Sequence, residues 1–202
     1  MNAPFDNTGL TLQTPRLLLR PWREEDVSDF YEYARVDGVG QMAGWLPHQS
    51  IEESRTVLHC FMEGKRCFAV VYRENGKVIG SLDVKEYGAE EKLTEFGGLY
   101  GAELGFVLSA DYWGCGLMPE AAGTLIRFLF TEKNFDFLLC GHYDSNSRSS
   151  RVQQKLGFRP YRRLTFDTRL GTGQSGVLNL LLNPARQYDL HFSHPETLIY
   201  QG

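Results

Sequence analysis

The chain has 202 residues, 42 % hydrophobic and 23 % charged, an ordinary balance for a soluble globular protein long enough to bury a substantial core. Its formal net charge of −4 offers no general basic surface, which argues against nucleic acid or an anionic membrane as partner. The four cysteines, Cys60, Cys67, Cys115 and Cys140, lack Cys-x-x-Cys spacing and nearby histidines at ligand spacing, so no metal is expected. With no signal-like segment near Met1 and no apolar run of transmembrane length, the expectation is a cytoplasmic protein with free thiols.

In chain order, Leu12 to Pro21 reads as a first strand and Glu24 to Val36 as a helix with acidic residues in its first turn. Asp37 to Gln49, which holds Trp45, Pro47 and His48 among its glycines, reads as a loop. Ser50 and Glu53 form a capping box for a second helix with Ile51, Leu58, Phe61 and Met62 on one side. Cys67 to Tyr72 and Val78 to Val84 read as a hairpin about Asn75-Gly76. A polar connection from Tyr87 to Gly101 leads into a short apolar strand, Glu103 to Leu108.

Asp111 to Gly116 is a turn with two glycines one residue apart, and it opens a helix at Leu117. Pro119 sits in the first turn, where its missing N–H is harmless. Ala121, Leu125, Phe128 and Leu129 recur at helical spacing, which leaves Glu120, Arg127 and Glu132 facing water. Phe135 to Tyr143 reads as a buried strand. Asp144 to Arg151 supplies caps and turns for a short helix whose Val152 and Leu156 share a face and which Gly157 ends. Phe158 to Leu170 and Gly176 to Leu182 read as final strands around Gly171-Thr172-Gly173. This order predicts an α/β chain with a mixed sheet flanked by helices. No repeat or linker divides it, so one domain is expected over 1–202, with a core over about 12–182 and a tail over 183–202.

A glycine-rich turn at a helix start is an anion site in waiting, because the first helical N–H groups lack partners and carry the positive end of the dipole. No Gly-Lys-Ser/Thr follows, so it is no P-loop, and the dinucleotide pattern lacks its third glycine. The run Tyr112-Trp-Gly-Cys-Gly-Leu-Met-Pro-Glu-Ala121 resembles the acyl-CoA-binding motif of the GNAT N-acetyltransferases, in particular the branch of the ribosomal-protein N-terminal acetyltransferases. The opening Thr14-Pro-Arg-Leu-Leu-Leu-Arg-Pro21 with Glu24-Glu25-Asp26 resembles that branch too. So does Asn146-Ser-Arg-Ser149 leading through Val152 and Lys155 to Leu156-Gly157-Phe158. Asp111 departs from the Gln or Arg common three places before the first glycine, and a site made of backbone amides tolerates that.

The resemblance implies that the mostly antiparallel sheet splays between the strand from Glu103 and the strand from Phe135, with acetyl-CoA entering the gap. It implies cofactor contacts from Phe106, Val107 and Leu108, from Trp113, Gly114, Cys115, Gly116 and Leu117 at the turn, and from Asn146 and Ser149. Transfer to an amine needs a neutral nucleophile, a stabilised oxyanion and a proton for the departing thiolate. At pH 7 roughly one Lys amine in a few thousand is neutral, against about one chain N-terminus in ten. Glu103, at the start of the organising strand, is the candidate base. Ser149 is the candidate proton donor to sulfur, because the Tyr used elsewhere in the superfamily, four residues on, is Gln153 here. Trp45 and His48 lie where that branch builds its acceptor pocket, although a histidine in solvent is the blander reading of His48. Cys115 has no evident base and reads as a small turn residue. The expected partners are acetyl-CoA and a primary amine, a protein N-terminus or a small molecule, in a monomer or homodimer. A non-catalytic acyl-CoA-binding or sensor domain of the same fold is the alternative.

Overall fold

The computed structural model describes residues 1–88, 96–166 and 173–188. Among the described residues eight strands form one sheet in the order β1-β2-β3-β4-β5-β6-β8-β7, and of the neighbouring pairs β5 and β6 alone run parallel. The strands are β1 (Leu12–Gln13), β2 (Leu17–Pro21), β3 (Cys67–Tyr72), β4 (Val78–Lys85), β5 (Gly101–Leu108), β6 (Phe137–Tyr143), β7 (Arg159–Phe166) and β8 (Gln174–Leu182). The α-helices are α1 (Val27–Ala34), α2 (Ile51–Gly64), α3 (Leu117–Thr131) and α4 (Ser147–Lys155).

Several boundaries differ from the sequence expectation for local reasons. The first strand folds back on itself as β1 and β2, with Leu12 opposite Leu19. Pro15 supplies no donor for a ladder, and the Thr14 hydroxyl accepts the Leu17 amide at 2.8 Å to close the turn. The helix expected from Glu24 begins as a 3-10 turn, Glu24–Asp26. There Asp26 is buried and takes both arms of the Arg20 guanidinium at 2.7 Å. Ser50 caps α2 as expected, accepting the Glu53 amide at 3.1 Å, while the Glu53 carboxylate reaches back to the Gln49 amide at 2.7 Å. A 3-10 turn, Gln41–Ala43, interrupts the expected loop. The strand expected from Phe135 begins at Phe137, because the Phe135 amide still closes the end of α3 on Leu129 O at 3.0 Å. Of the expected features, residues 89–95 of the polar connection, the far end of the strand to Leu170, Gly171-Thr172 of the last turn and tail residues 189–202 lie outside the described residues.

The two faces of the sheet carry different cores. Leu125, Ala121, Ala122 and Leu129 of α3 are fully buried against Leu17, Leu19, Phe68, Leu82, Leu104 and Leu138. On the other face Phe30, Tyr33 and Ala34 of α1 and Leu58 of α2 pack on Cys67, Ala69 and Val71. Each such aliphatic or aromatic burial stabilises the fold by about 1.5–3 kcal/mol relative to exposure. Among the described residues no helix is long and apolar enough to cross a membrane.

One break in this sheet sets up the site. β5 and β6 pair only from Gly101–Phe137 to Glu103–Leu139. Beyond that point β5 continues to Leu108 paired with β4 alone, and β6 continues to Tyr143 paired with β8 alone. The two central strands therefore part like a V with Glu103 at its apex, which leaves one backbone edge of β5 open from Leu104 onward.

Candidate active site

The open edge of β5 runs into the glycine turn. Trp113 Nε1 donates to Leu108 O at 2.8 Å, which folds the indole back over the end of the strand. Gly114 and Gly116 hold φ of +80° and +73°, a region that side-chain-bearing residues rarely enter, and α3 starts immediately after. Its first amides lack intrahelical acceptors by position.

The turn is stapled from outside. Thr14 donates to Glu120 Oε1 at 2.5 Å, the Arg16 amide donates to the same oxygen at 3.0 Å, and Arg16 Nε donates to Glu120 Oε2 at 2.7 Å. Arg16 Nη1 also donates to Cys115 O at 3.0 Å. Helical spacing places Glu120 toward water, whereas its side chain is only 18 % exposed and ties α3 to the β1–β2 turn. Burial pushes its carboxyl up, but the Thr14 and Arg16 contacts outweigh that and hold it below its usual range.

The third wall is α4. Asn146 Oδ1 accepts the Ser149 amide at 3.0 Å, a true N-cap, and its Nδ2 donates to Met42 O at 3.2 Å. This second bond ties the start of α4 to the 3-10 turn in the loop before α2. The Arg148 guanidinium stacks 4.1 Å from the Trp113 ring centroid and so joins α4 to the glycine turn.

These walls enclose a cavity of about 890 Å³. Glu103 and Ser149 both line it, as do Phe106, Val107, Leu108, Trp113, Gly114, Gly116, Leu117 and Asn146. Cys115 does not; it is exposed, with its Sγ 3.6 Å from Trp113 O. Trp45 and His48 line the opposite part, with ring centroids 5.0 Å apart. Trp45 lies directly on Gly40, where a Cβ would meet the indole at 2.3 Å. The blander reading of His48 is overturned, since it is 7 % exposed, with Nδ1 2.7 Å from Ser54 Oγ and the Phe30 ring 5.2 Å away. Burial pushes its imidazole below the ordinary value, with Glu53 opposing. Tyr143 lines the cavity as well, whereas Tyr87 is buried in a separate core cluster and Tyr100 is 45 % exposed.

Two charged residues in the cavity escape sequence reasoning. Asp83 and Lys85 project from β4 on the same face as Glu103, with Lys85 opposite Glu103 and Asp83 opposite Gly105. Gly105 makes room for the lysine, because a Cβ there would meet Lys85 Cε at 2.8 Å and Nζ at 2.9 Å. The ammonium thus lies across the rows of both carboxylates. Burial raises the Asp83 carboxyl, and Lys85 and Arg66 pull it back only in part. Alternation of Ser81, Asp83 and Lys85 in the otherwise apolar strand Val78–Lys85 carries a faint signal, but their shared face with Glu103 depends on register.

Comparison with known proteins agrees with this geometry. Residues 16–159 match the model of the acetyltransferase (GNAT) domain, and the chain belongs to that family. It is 25 % identical over 154 residues to the uncharacterized N-acetyltransferase p20 of Bacillus licheniformis, a match that covers 74 % of this chain and 82 % of that protein. The ribosomal-protein-S5-alanine acetyltransferase of Vibrio fischeri superposes with a TM-score of 0.67 at 19 % identity, over 87 % of this chain and 97 % of that one. The microcin C7 self-immunity acetyltransferase MccE, solved with acetyl-CoA and AMP, superposes with a TM-score of 0.69 at 14 % identity, over 84 % and 93 %. The ribosomal-protein acetyltransferases suggested by the sequence motifs are thus among its structural neighbours.

Proposed function

We propose that this chain transfers the acetyl group of acetyl-CoA to a primary amine by direct attack, with both substrates bound at once. The observation that carries the reading is the parting of β5 and β6 at Glu103, directly before a glycine turn that opens α3. The residues present fit the donor. The free edge of β5 offers backbone N–H and C=O groups for an amide-bearing arm, and the turn offers unpaired amides for a pyrophosphate. Acetyl-CoA supplies the activated acyl group as a thioester.

The protein's own groups divide the remaining work. Glu103 stands at the apex and accepts the proton of the incoming amine, directly or through water. Lys85 and Asp83 beside it set the charge of the acceptor half. The amine nitrogen bonds to the carbonyl carbon, the carbon–sulfur bond breaks, and sulfur keeps the electron pair and gains a proton, to which Ser149 is the donor. Direct attack is favoured over an acyl-cysteine route by the thiols in reach. Cys67 and Cys140 line the cavity, and burial pushes both thiols far from the thiolate such a route requires, with Asp83 and Glu103 respectively adding to the effect.

The acceptor is a protein N-terminus or a small primary amine, held between the aromatic wall of Phe30, Trp45 and Phe61 and the charged floor. A thiol-release assay with acetyl-CoA tests this against short peptides with free N-termini, a polyamine, amino sugars and free amino acids. Turnover with one class above the no-amine rate is expected. Donor binding without turnover on any amine would instead favour the non-catalytic acyl-CoA-binding alternative.

A further inference from the structure

Ser149 does not act alone, and its partner is a side chain that contributes no proton itself. Gln153, one helical turn further along α4, is 1 % exposed, and three hydrogen bonds hold its amide, both N–H donors among them. Its Nε2 donates to Gly141 O at 3.1 Å and to Ser149 Oγ at 3.0 Å, and its Oε1 accepts from Asn179 Nδ2 at 2.6 Å. The orientation of this amide is forced. A backbone carbonyl only accepts, so the group facing Gly141 O is the NH₂, and the second hydrogen of that NH₂ points at the serine. Asn179, 5 % exposed on β8, holds the other end from the strand beside Gly141.

The consequence falls on the serine hydroxyl. A hydroxyl has one proton and two lone pairs, and in Ser149 one lone pair is taken by Gln153. Among the described residues no acceptor is assigned to its hydrogen, and Ser149 lines the cavity. A serine that accepts from a buried, locked amide is left to donate, and the cavity is where that donation can go. Donation by Gln153 also polarises Oγ–H, as bonds in a chain strengthen one another.

We infer that Gln153 is a positioning residue for the transfer: held by Asn179 and Gly141, it fixes the Ser149 hydroxyl as a hydrogen-bond donor aimed at the sulfur of the acyl donor. This rests on the acyl-CoA reading of the cavity and deepens it. As the carbon–sulfur bond breaks, the electron pair stays on sulfur, the Ser149 proton moves toward it, and Oγ recovers a proton from solvent. Gln153 keeps all of its hydrogens throughout.

The test reads the bound thiol and needs no acceptor. The full chain is saturated with CoA, and thiolate absorbance is followed against pH for wild type, Gln153→Met, Ser149→Ala and the double variant. Wild type is expected to bind CoA with a thiol more acidic than free CoA. Gln153→Met should weaken the acid dissociation constant of the bound thiol about tenfold, the scale of one hydrogen bond to a charged group. Adding Gln153→Met to Ser149→Ala should change nothing further, which a merely structural role for Gln153 would not produce. If Gln153→Met fails to fold, Asn179→Ser loosens the same amide from its far end and should shift the thiol in the same direction by less. CoA that binds with a thiol unmoved by either variant, or moved equally whether or not the Ser149 hydroxyl is present, would overturn the inference. Failure of wild type to bind CoA would instead overturn the acyl-CoA reading, and this inference with it.

Discussion

Ser149 and Glu103 line one cavity, and the proposed transfer gives them different tasks, so their variants should separate cleanly. Ser149→Ala should lower kcat about a hundredfold, the usual scale for one acid–base group, while CoA affinity stays within about twofold. Steady-state kinetics beside titration checks both, and unchanged turnover would remove Ser149 from the mechanism. Glu103→Gln should cost most at low pH, where the amine is mostly protonated; a loss equal at every pH would make Glu103 a positioning group. His48 adds a stability signature. Burial lowers its folded-state pKa, so the stability it contributes is present above its unfolded value near 6.5 and fades as pH falls through the folded one. Thermal unfolding followed from pH 7 to pH 5 should show that decline, and His48→Gln should flatten it. At this scale the motif residues were legible because the turn and the Asn146–Ser149 segment carry family patterns. Asp83 and Lys85 were not, because their position beside Glu103 follows from strand register, which one strand's alternation does not contain.

Between elements, the staple from the β1–β2 turn to α3 holds the glycine turn in shape. Arg16→Ala or Glu120→Ala should weaken acetyl-CoA binding about tenfold, the cost of losing one or two charge-assisted bonds, with kcat at saturation nearly unchanged. Calorimetry and kinetics read the two quantities. Because the Glu120 carboxyl is held below its usual range, its contribution to stability is full above about pH 4.3 and is lost as pH falls through the folded value. The stability gap between wild type and Glu120→Gln should therefore close in acid. This staple was invisible in the sequence for a physical reason. Helical periodicity describes only the faces of α3, and the partners that bury Glu120 lie more than 100 positions away in the chain. The break between β1 and β2 was closer to legible, since Thr14-Pro15 is a turn signal inside an apolar run.

For the whole molecule, the order of elements was readable from sequence, while the parting of β5 and β6 came only as an implication of family resemblance. No periodicity in Glu103–Leu108 or Phe137–Tyr143 says where two parallel strands stop pairing. In the fold, β4 and β8 each keep one edge of the V in register, and α3 fills the core on its own side of the sheet. Leu125→Ala, fully buried there, should cost about 2–5 kcal/mol in denaturant unfolding. The central claim is that this opening is an acyl-CoA site. Calorimetric titration of the chain with acetyl-CoA, with CoA and ATP as comparators, tests it most directly. Saturable binding of both CoA species and none of ATP is predicted. Heat from ATP alone, or from none of the three, would contradict the account and leave the split sheet without its ligand.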